Sequence, residues 1–132
     1  MRYMLDTNIC IYIIKNKPIE VLNNLSKHDP SEICISSITY SELVYGVEKS
    51  EAKERNRLAL SLLLSNIDII NYDILAGEYY GEIRADLEKK GNIIGPLDML
   101  IASHAKSLNY TLVTNNTKEL KRIKDLKIEY WI

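Results

Sequence analysis

Short apolar runs of strand length alternate with longer stretches of helical period along the whole chain. No other feature of the sequence restricts its fold as much. Residues 2–5, 32–36, 67–70, 111–114 and 127–130 read as five strands, each brief and bounded by polar or turn residues. Helices are expected over 9–14, 19–26 (with Pro18 in the first turn), 37–45, 52–64, 74–90, 96–108 and 117–122. Asp73 can cap the fifth of these, and Gly91 is suited to the left-handed position that ends it. Strands that alternate with helices imply an α/β fold, with a parallel sheet covered on both faces and right-handed crossovers. The 132 residues contain no repeat, low-complexity tract or linker, so one domain spanning 1–132 is expected.

Composition excludes several classes. Hydrophobic residues make up 46% and charged residues 27%, an ordinary globular balance. The longest apolar runs, near 9–14 and 62–64, are too short to cross a bilayer, and no export signal leads the chain. A cytoplasmic protein with no membrane role is expected. Cys10 and Cys34 each lie in an apolar run, which favours buried, reduced thiols over a disulfide. The 17 basic and 18 acidic residues give a net charge of −1. Such a chain does not bind nucleic acid through bulk electrostatics. If nucleic acid is the substrate, a metal ion or a partner must supply positive charge locally. Lys118, Lys121, Arg122, Lys124 and Lys127 cluster late in the chain, where a solvated surface is the plainer reading.

Asp6 follows the first strand, Glu42 lies early in the helix after the second, and Asp98 falls in the first turn of the helix that Pro96 begins. Asn115 and Asn116 follow the fourth strand. In a parallel sheet all of these points meet at the carboxyl edge, where ligands of open α/β sheets bind. Carboxylates gathered there repel and raise one another's pKa unless a cation neutralises them. Oxygen ligands with room for water suit Mg²⁺ or Mn²⁺. The two histidines, His28 and His104, are far apart in sequence, which disfavours zinc.

Each residue also has a purely structural explanation. Asp6 can be an N-cap. Glu42 stands three residues after Thr39 in the S/T-x-x-E capping-box pattern, with Ile38 and Leu43 as its hydrophobic staple. Asp98 is favoured by the helix dipole, and paired asparagines are common turn residues. His104 reads as a packed or surface helix residue. The nine tyrosines must carry the aromatic bulk of a chain with no phenylalanine. Base stacking by Tyr40, Tyr79 or Tyr80 ranks below packing.

Four segments in order, Met4-Leu5-Asp6-Thr7-Asn8, Ile35-Ser36-Ser37-Ile38-Thr39-Tyr40-Ser41-Glu42-Leu43, Ile94-Gly95-Pro96-Leu97-Asp98 and Leu112-Val113-Thr114-Asn115-Asn116, resemble the motifs of PIN-domain ribonucleases. The likeness is greatest to the VapC toxins of bacterial toxin–antitoxin pairs, and it extends to a similar Glu129-Tyr130-Trp131 tail. It implies an α/β/α sandwich around a central parallel sheet. The implied activity is Mg²⁺- or Mn²⁺-dependent endonucleolytic cleavage of RNA, with initiator tRNA cut in its anticodon loop as the leading substrate. A VapB-type antitoxin that inhibits the enzyme is implied as partner.

By the same resemblance Asp6, Glu42 and Asp98 are the catalytic and metal-binding acids, and Thr7 and Thr114 are supporting hydroxyls. The fourth acidic position of many members falls on Asn116, a departure from the pattern. Glu119, three residues on, is a candidate replacement. Apolar residues on the early helices (Ile11, Ile14, Val44, Val47, Leu60, Leu63) are candidates for an antitoxin groove or for the face of an expected homodimer. The competing reading is a non-catalytic α/β partner-binding module whose acids are helix caps. Metal-dependent RNA cleavage above background separates the two.

Overall fold

The computed structural model describes residues 2–132. Five strands, β1 (Tyr3–Leu5), β2 (Ile33–Ser36), β3 (Asp68–Ile70), β4 (Thr111–Val113) and β5 (Ile128–Glu129), form one sheet in the order β3-β2-β1-β4-β5. Every pairing is parallel. The helices are α1 (Thr7–Lys15), α2 (Ile19–Leu25), α3 (Ser37–Lys49), α4 (Lys53–Leu64), α5 (Ile74–Lys89), α6 (Pro96–Ser107) and α7 (Thr117–Leu120). All five expected strands and seven expected helices are present, with ends displaced by a few residues.

Successive side chains of a strand point to opposite faces, and here the two faces carry separate cores. Met4, Cys34 and Leu112 point one way and pack with Ile83, Leu87, Met99, Ala102 and Ala105 from α5 and α6. Leu5, Ile33, Ile35 and Val113 point the other way, onto Ile9, Cys10, Val21, Leu43, Val47 and Leu60 from α1 to α4. The result is an α/β/α sandwich. Cys10 and Cys34 are free and buried, as their apolar runs imply, and burial pushes both thiols up. Trp131 closes one core edge. Its ring is stacked 5.5 Å from His28, its Nε1 donates to Glu129 Oε1 at 2.7 Å, and its carbonyl accepts from Asn24 Nδ2 at 3.0 Å.

Helix ends follow local chemistry. Asp73 Oδ1 accepts from the Ala76 N–H at 2.9 Å and starts α5. Gly91, at φ +67°, ends it: Gly91 N–H bonds to the Glu88 carbonyl and Asn92 N–H to that of Leu87, a Schellman pair. Pro18 stands one position before α2, as its N-cap, rather than inside the first turn. The capping box expected at Thr39 does not form. The N-cap of α3 is Ser36, whose Oγ accepts from Ile38 N–H at 3.1 Å, and Thr39 lies within the helix, buried. Pairing of Ser36 with Ile70 carries β2 up to Ser36, so the helix starts at Ser37.

Among the described residues no helix is long and apolar enough to cross a membrane. Lys118, Lys121, Lys124 and Lys127 are exposed, in keeping with a solvated surface.

The strand order reverses at β1. The chain moves outward through β2 and β3, then returns to β4 on the other side of β1. The helix after β1 packs on one face, and Leu120 of α7, after β4, packs on the other. The carboxyl ends of β1 and β4 therefore open into a crevice, the usual ligand position of an open α/β sheet.

Candidate active site

Asp6 leaves β1 at the mouth of this crevice and is 5% exposed. It is the N-cap of α1, with Oδ1 accepting from Ile9 N–H at 2.9 Å, and Thr114 at the end of β4 hydrogen-bonds its side chain. Burial pushes the Asp6 carboxyl from its usual 3.8 up to about 6; the bonds from Thr114 and Ile9 oppose the shift, and the charges of Asp98 and Glu42 add to it. The cap and site readings of Asp6 are thus compatible. One oxygen starts the helix while the group shares a field with two further acids.

Glu42 approaches from α3. Its Oε1 accepts from the Thr7 hydroxyl at 2.6 Å, and the Thr39 hydroxyl lies 3.5 Å from that of Thr7. Thr39 and Glu42 are three residues apart, so they share a helix face. The Thr39–Glu42 spacing marks that shared face, not a capping box.

Asp98 is in the first turn of α6, started by Gly95-Pro96. Asn116 Nδ2 stands 3.2 Å from Asp98 Oδ2 and 3.2 Å from Glu119 Oε2, so its two amide hydrogens bridge two carboxylates. Burial raises the Asp98 pKa; the Asn116 bond opposes this, and the Glu119 charge adds to it. Asn116 N–H donates to Thr114 Oγ1 at 3.0 Å, and Asn115 Nδ2 donates to the Tyr12 hydroxyl at 2.8 Å, so this turn is tied to both β4 and α1.

The fold thus brings Asp6, Glu42, Asp98, Thr7, Thr114, Asn116 and Glu119 to one crevice. Each carboxylate is occupied by a protein donor, and among the described residues no three His, Cys, Asp or Glu side chains stand in a ligating arrangement. Nor does any lysine or arginine among the described residues form an ion pair with these acids. Neutralising the cluster falls to protons or to an external cation. Its donors are oxygens only, which fits Mg²⁺ or Mn²⁺ and not a soft metal. Neither His28 nor His104 is among the donors of the crevice: one stacks beside Trp131, the other is buried against Ser36.

Replacing Asn116 by Asp would set a third carboxylate between Asp98 and Glu119. The variant is expected to lose about 1–3 kcal/mol of stability in divalent-free buffer, from lost hydrogen bonds and like-charge repulsion. Thermal unfolding with and without Mn²⁺ checks this, since the added cation should close most of the gap.

Beside Glu42 an apolar groove of about 320 Å³ runs between α1, α3 and α4, lined by Ile11, Ile14, Leu43, Val47 and Leu60 among others. Four of the six apolar residues expected to form such a face, Ile11, Ile14, Val47 and Leu60, line it; Val44 and Leu63 are half-buried against the same core but outside the groove.

The PIN domain family model matches residues 3–126. Ribonuclease VapC2 of Rickettsia felis is 52% identical over 132 residues, covering 99% of this chain and 98% of that protein. The tRNA(fMet)-specific endonuclease VapC of Shigella flexneri is 45% identical over 131 residues, with 99% and 98% covered. The crystal structure of VapBC2 from Rickettsia felis bound to a DNA fragment from their promoter contains a chain that superposes with a TM-score of 0.93 at 51% identity, with 100% of each chain covered. With its acids at the carboxyl edge of a β3-β2-β1-β4-β5 sheet and this likeness along its whole length, the chain belongs to the PIN-domain family, among the VapC ribonucleases.

Proposed function

We propose that this protein is the endoribonuclease toxin of a toxin–antitoxin pair, cutting RNA phosphodiester bonds with Mg²⁺ or Mn²⁺ held by Asp6 and Asp98, directly or through water, while Glu42 binds the ion or orients the attacking water. The observation that carries this reading is the Asp6 carboxyl. It is buried, shares the field of Asp98 and Glu42, and has no basic partner among the described residues. A solely structural cap gains nothing from two further acids beside it.

Bound there, the divalent cation offsets phosphodiester charge and lowers the pKa of water. The chain's own residues do the positioning. Asp6 is fixed by the Ile9 N–H and Thr114, and Glu42 is aimed by the Thr7 hydroxyl and orients the attacking water. Asp98 is held by Asn116, which also keeps Glu119 at hand as a fourth carboxylate. The cation answers the charge problem of a −1 chain acting on a polyanion.

The relatives named tRNA(fMet)-specific endonucleases support initiator tRNA as substrate; a cut in its anticodon loop, made in the cytoplasm, is part of the same proposal. Relatives solved as VapBC complexes support a VapB-type antitoxin, for which the groove beside Glu42 is the docking surface. The test is incubation of the purified, antitoxin-free protein with total tRNA in Mg²⁺, followed by mapping of the products. One internal cut in the initiator tRNA, abolished by a chelator, is expected. Intact tRNA, or cleavage indifferent to the chelator, would overturn the reading.

A further inference from the structure

Away from the crevice, the two helices that carry Glu42 and Asp98 are joined by one buried polar contact. Ser36 ends β2 and His104 lies in α6, both 1% exposed or less, and Ser36 Oγ is 2.8 Å from His104 Nδ1. Ser36 Oγ accepts the Ile38 N–H at 3.1 Å and still has its own proton to donate to Nδ1 of a neutral imidazole. In that arrangement the ring carries its hydrogen on Nε2. Burial, which lowers the His104 pKa, favours the neutral form. A buried polar pair contributes little net stability, and an apolar pair of the same shape would fill the space about as well. Unlike apolar packing, it fixes direction.

Ser36 is six residues before Glu42 on α3, and His104 is six residues after Asp98 on α6. At a rise of about 1.5 Å per residue, each carboxylate is about 9 Å along its helix from the shared contact. The His104 ring also meets the Tyr72 ring in a T-shaped contact, centroids 5.5 Å apart, and the Tyr72 backbone N–H donates to Ser37 Oγ at 3.0 Å. The start of α3 and the middle of α6 are therefore tied at one point by Ser36, His104, Ser37 and Tyr72.

We propose that Ser36 and His104 are a positioning pair for the acid site, setting the register of α3 against α6 and with it the separation of Glu42 and Asp98. The inference rests on the reading of that site as a cation-holding centre. Displacement of a reacting group by about 1 Å can lower rates about 100-fold, so loss of this tie should be felt at the site before it is felt in the fold.

The test measures Mn²⁺ affinity of the RNA-free protein by calorimetry, together with kcat and KM for RNA and the thermal midpoint. His104→Phe keeps the ring but lacks the acceptor. His104→Asn can present an acceptor near the Nδ1 position. For His104→Phe we expect Mn²⁺ binding weakened about tenfold or more and kcat lowered by a similar factor, with KM unchanged within about twofold. His104→Asn should recover most of both. Should His104→Phe fail to fold, Ser36→Ala against Ser36→Thr makes the same comparison from the other partner. Wild-type Mn²⁺ affinity and kcat in His104→Phe or Ser36→Ala, or equal losses in His104→Asn and His104→Phe, would overturn the pairing. Asp98→Asn is the control for the site itself: unchanged Mn²⁺ affinity there would remove the cation-site reading, whatever the His104 variants do.

Discussion

Asp6→Asn is expected to abolish RNA cleavage and at the same time make the protein more stable. Loss of a charged cation ligand removes several kcal/mol of transition-state stabilisation, about a thousandfold in rate. Folding survives because Asn is as good an N-cap as Asp, and its carbonyl oxygen can still accept the Ile9 N–H. The stability gain follows from the raised pKa. Below pH 3.8 the carboxyl is protonated in both folded and unfolded chains and carries no penalty. Between 3.8 and about 6 the unfolded chain releases the proton while the folded chain retains it, so stability falls as pH rises. Above about 6 the full penalty is present, up to about 3 kcal/mol for a shift of this size. Thermal midpoints in divalent-free buffer should therefore be higher by several degrees for Asp6→Asn at pH 7.5, and equal to wild type near pH 3.5. A variant less stable than wild type at pH 7.5, or one that keeps its activity, would show Asp6 to be a cap and nothing more.

Divalent cations should reverse the penalty. An ion that binds only the folded state stabilises it by RT ln(1 + [L]/Kd), about 2.7 kcal/mol at a hundred times Kd. Mn²⁺ is thus expected to raise the thermal midpoint of the wild-type protein, with little effect on Asp6→Asn or Asp98→Asn. Because the ion needs an ionised Asp6, its affinity should fall as pH drops through about 6 and level off above. A chelator should remove both the stabilisation and RNA cleavage. A midpoint unmoved by Mn²⁺ would leave the acid cluster without the ion that its repulsion calls for.

Much of this was legible in the sequence because it depends on local pattern. Strand-length apolar runs and helical periods located the elements, and the places of Asp6, Glu42 and Asp98 relative to strand ends placed them on one edge. The N-cap of α3 was not legible. Ser36, Ser37 and Thr39 all offer hydroxyls, and Thr39 completes a capping pattern with Glu42. The choice is made by the pairing of Ser36 with Ile70, a residue from another strand. The bridge from Asn116 to Asp98, the bond from Asn115 to Tyr12 and the Ser36–His104 contact join residues 18, 103 and 68 positions apart. Composition and spacing carry no trace of such contacts. Likewise, periodicity marked Val44 and Leu63 as apolar without saying that they lie outside the groove that Ile11, Ile14, Val47 and Leu60 line.

Crystals of the antitoxin-free protein grown with Mn²⁺ and measured at the manganese absorption edge test the central claim most directly. The account predicts an anomalous peak in the crevice between β1 and β4, within ligand reach of Asp6 and Asp98 and on the Glu42 side of the site, and no peak there in Asp98→Asn. Manganese bound elsewhere, or a crevice without it under conditions where the same protein cleaves RNA, would contradict it.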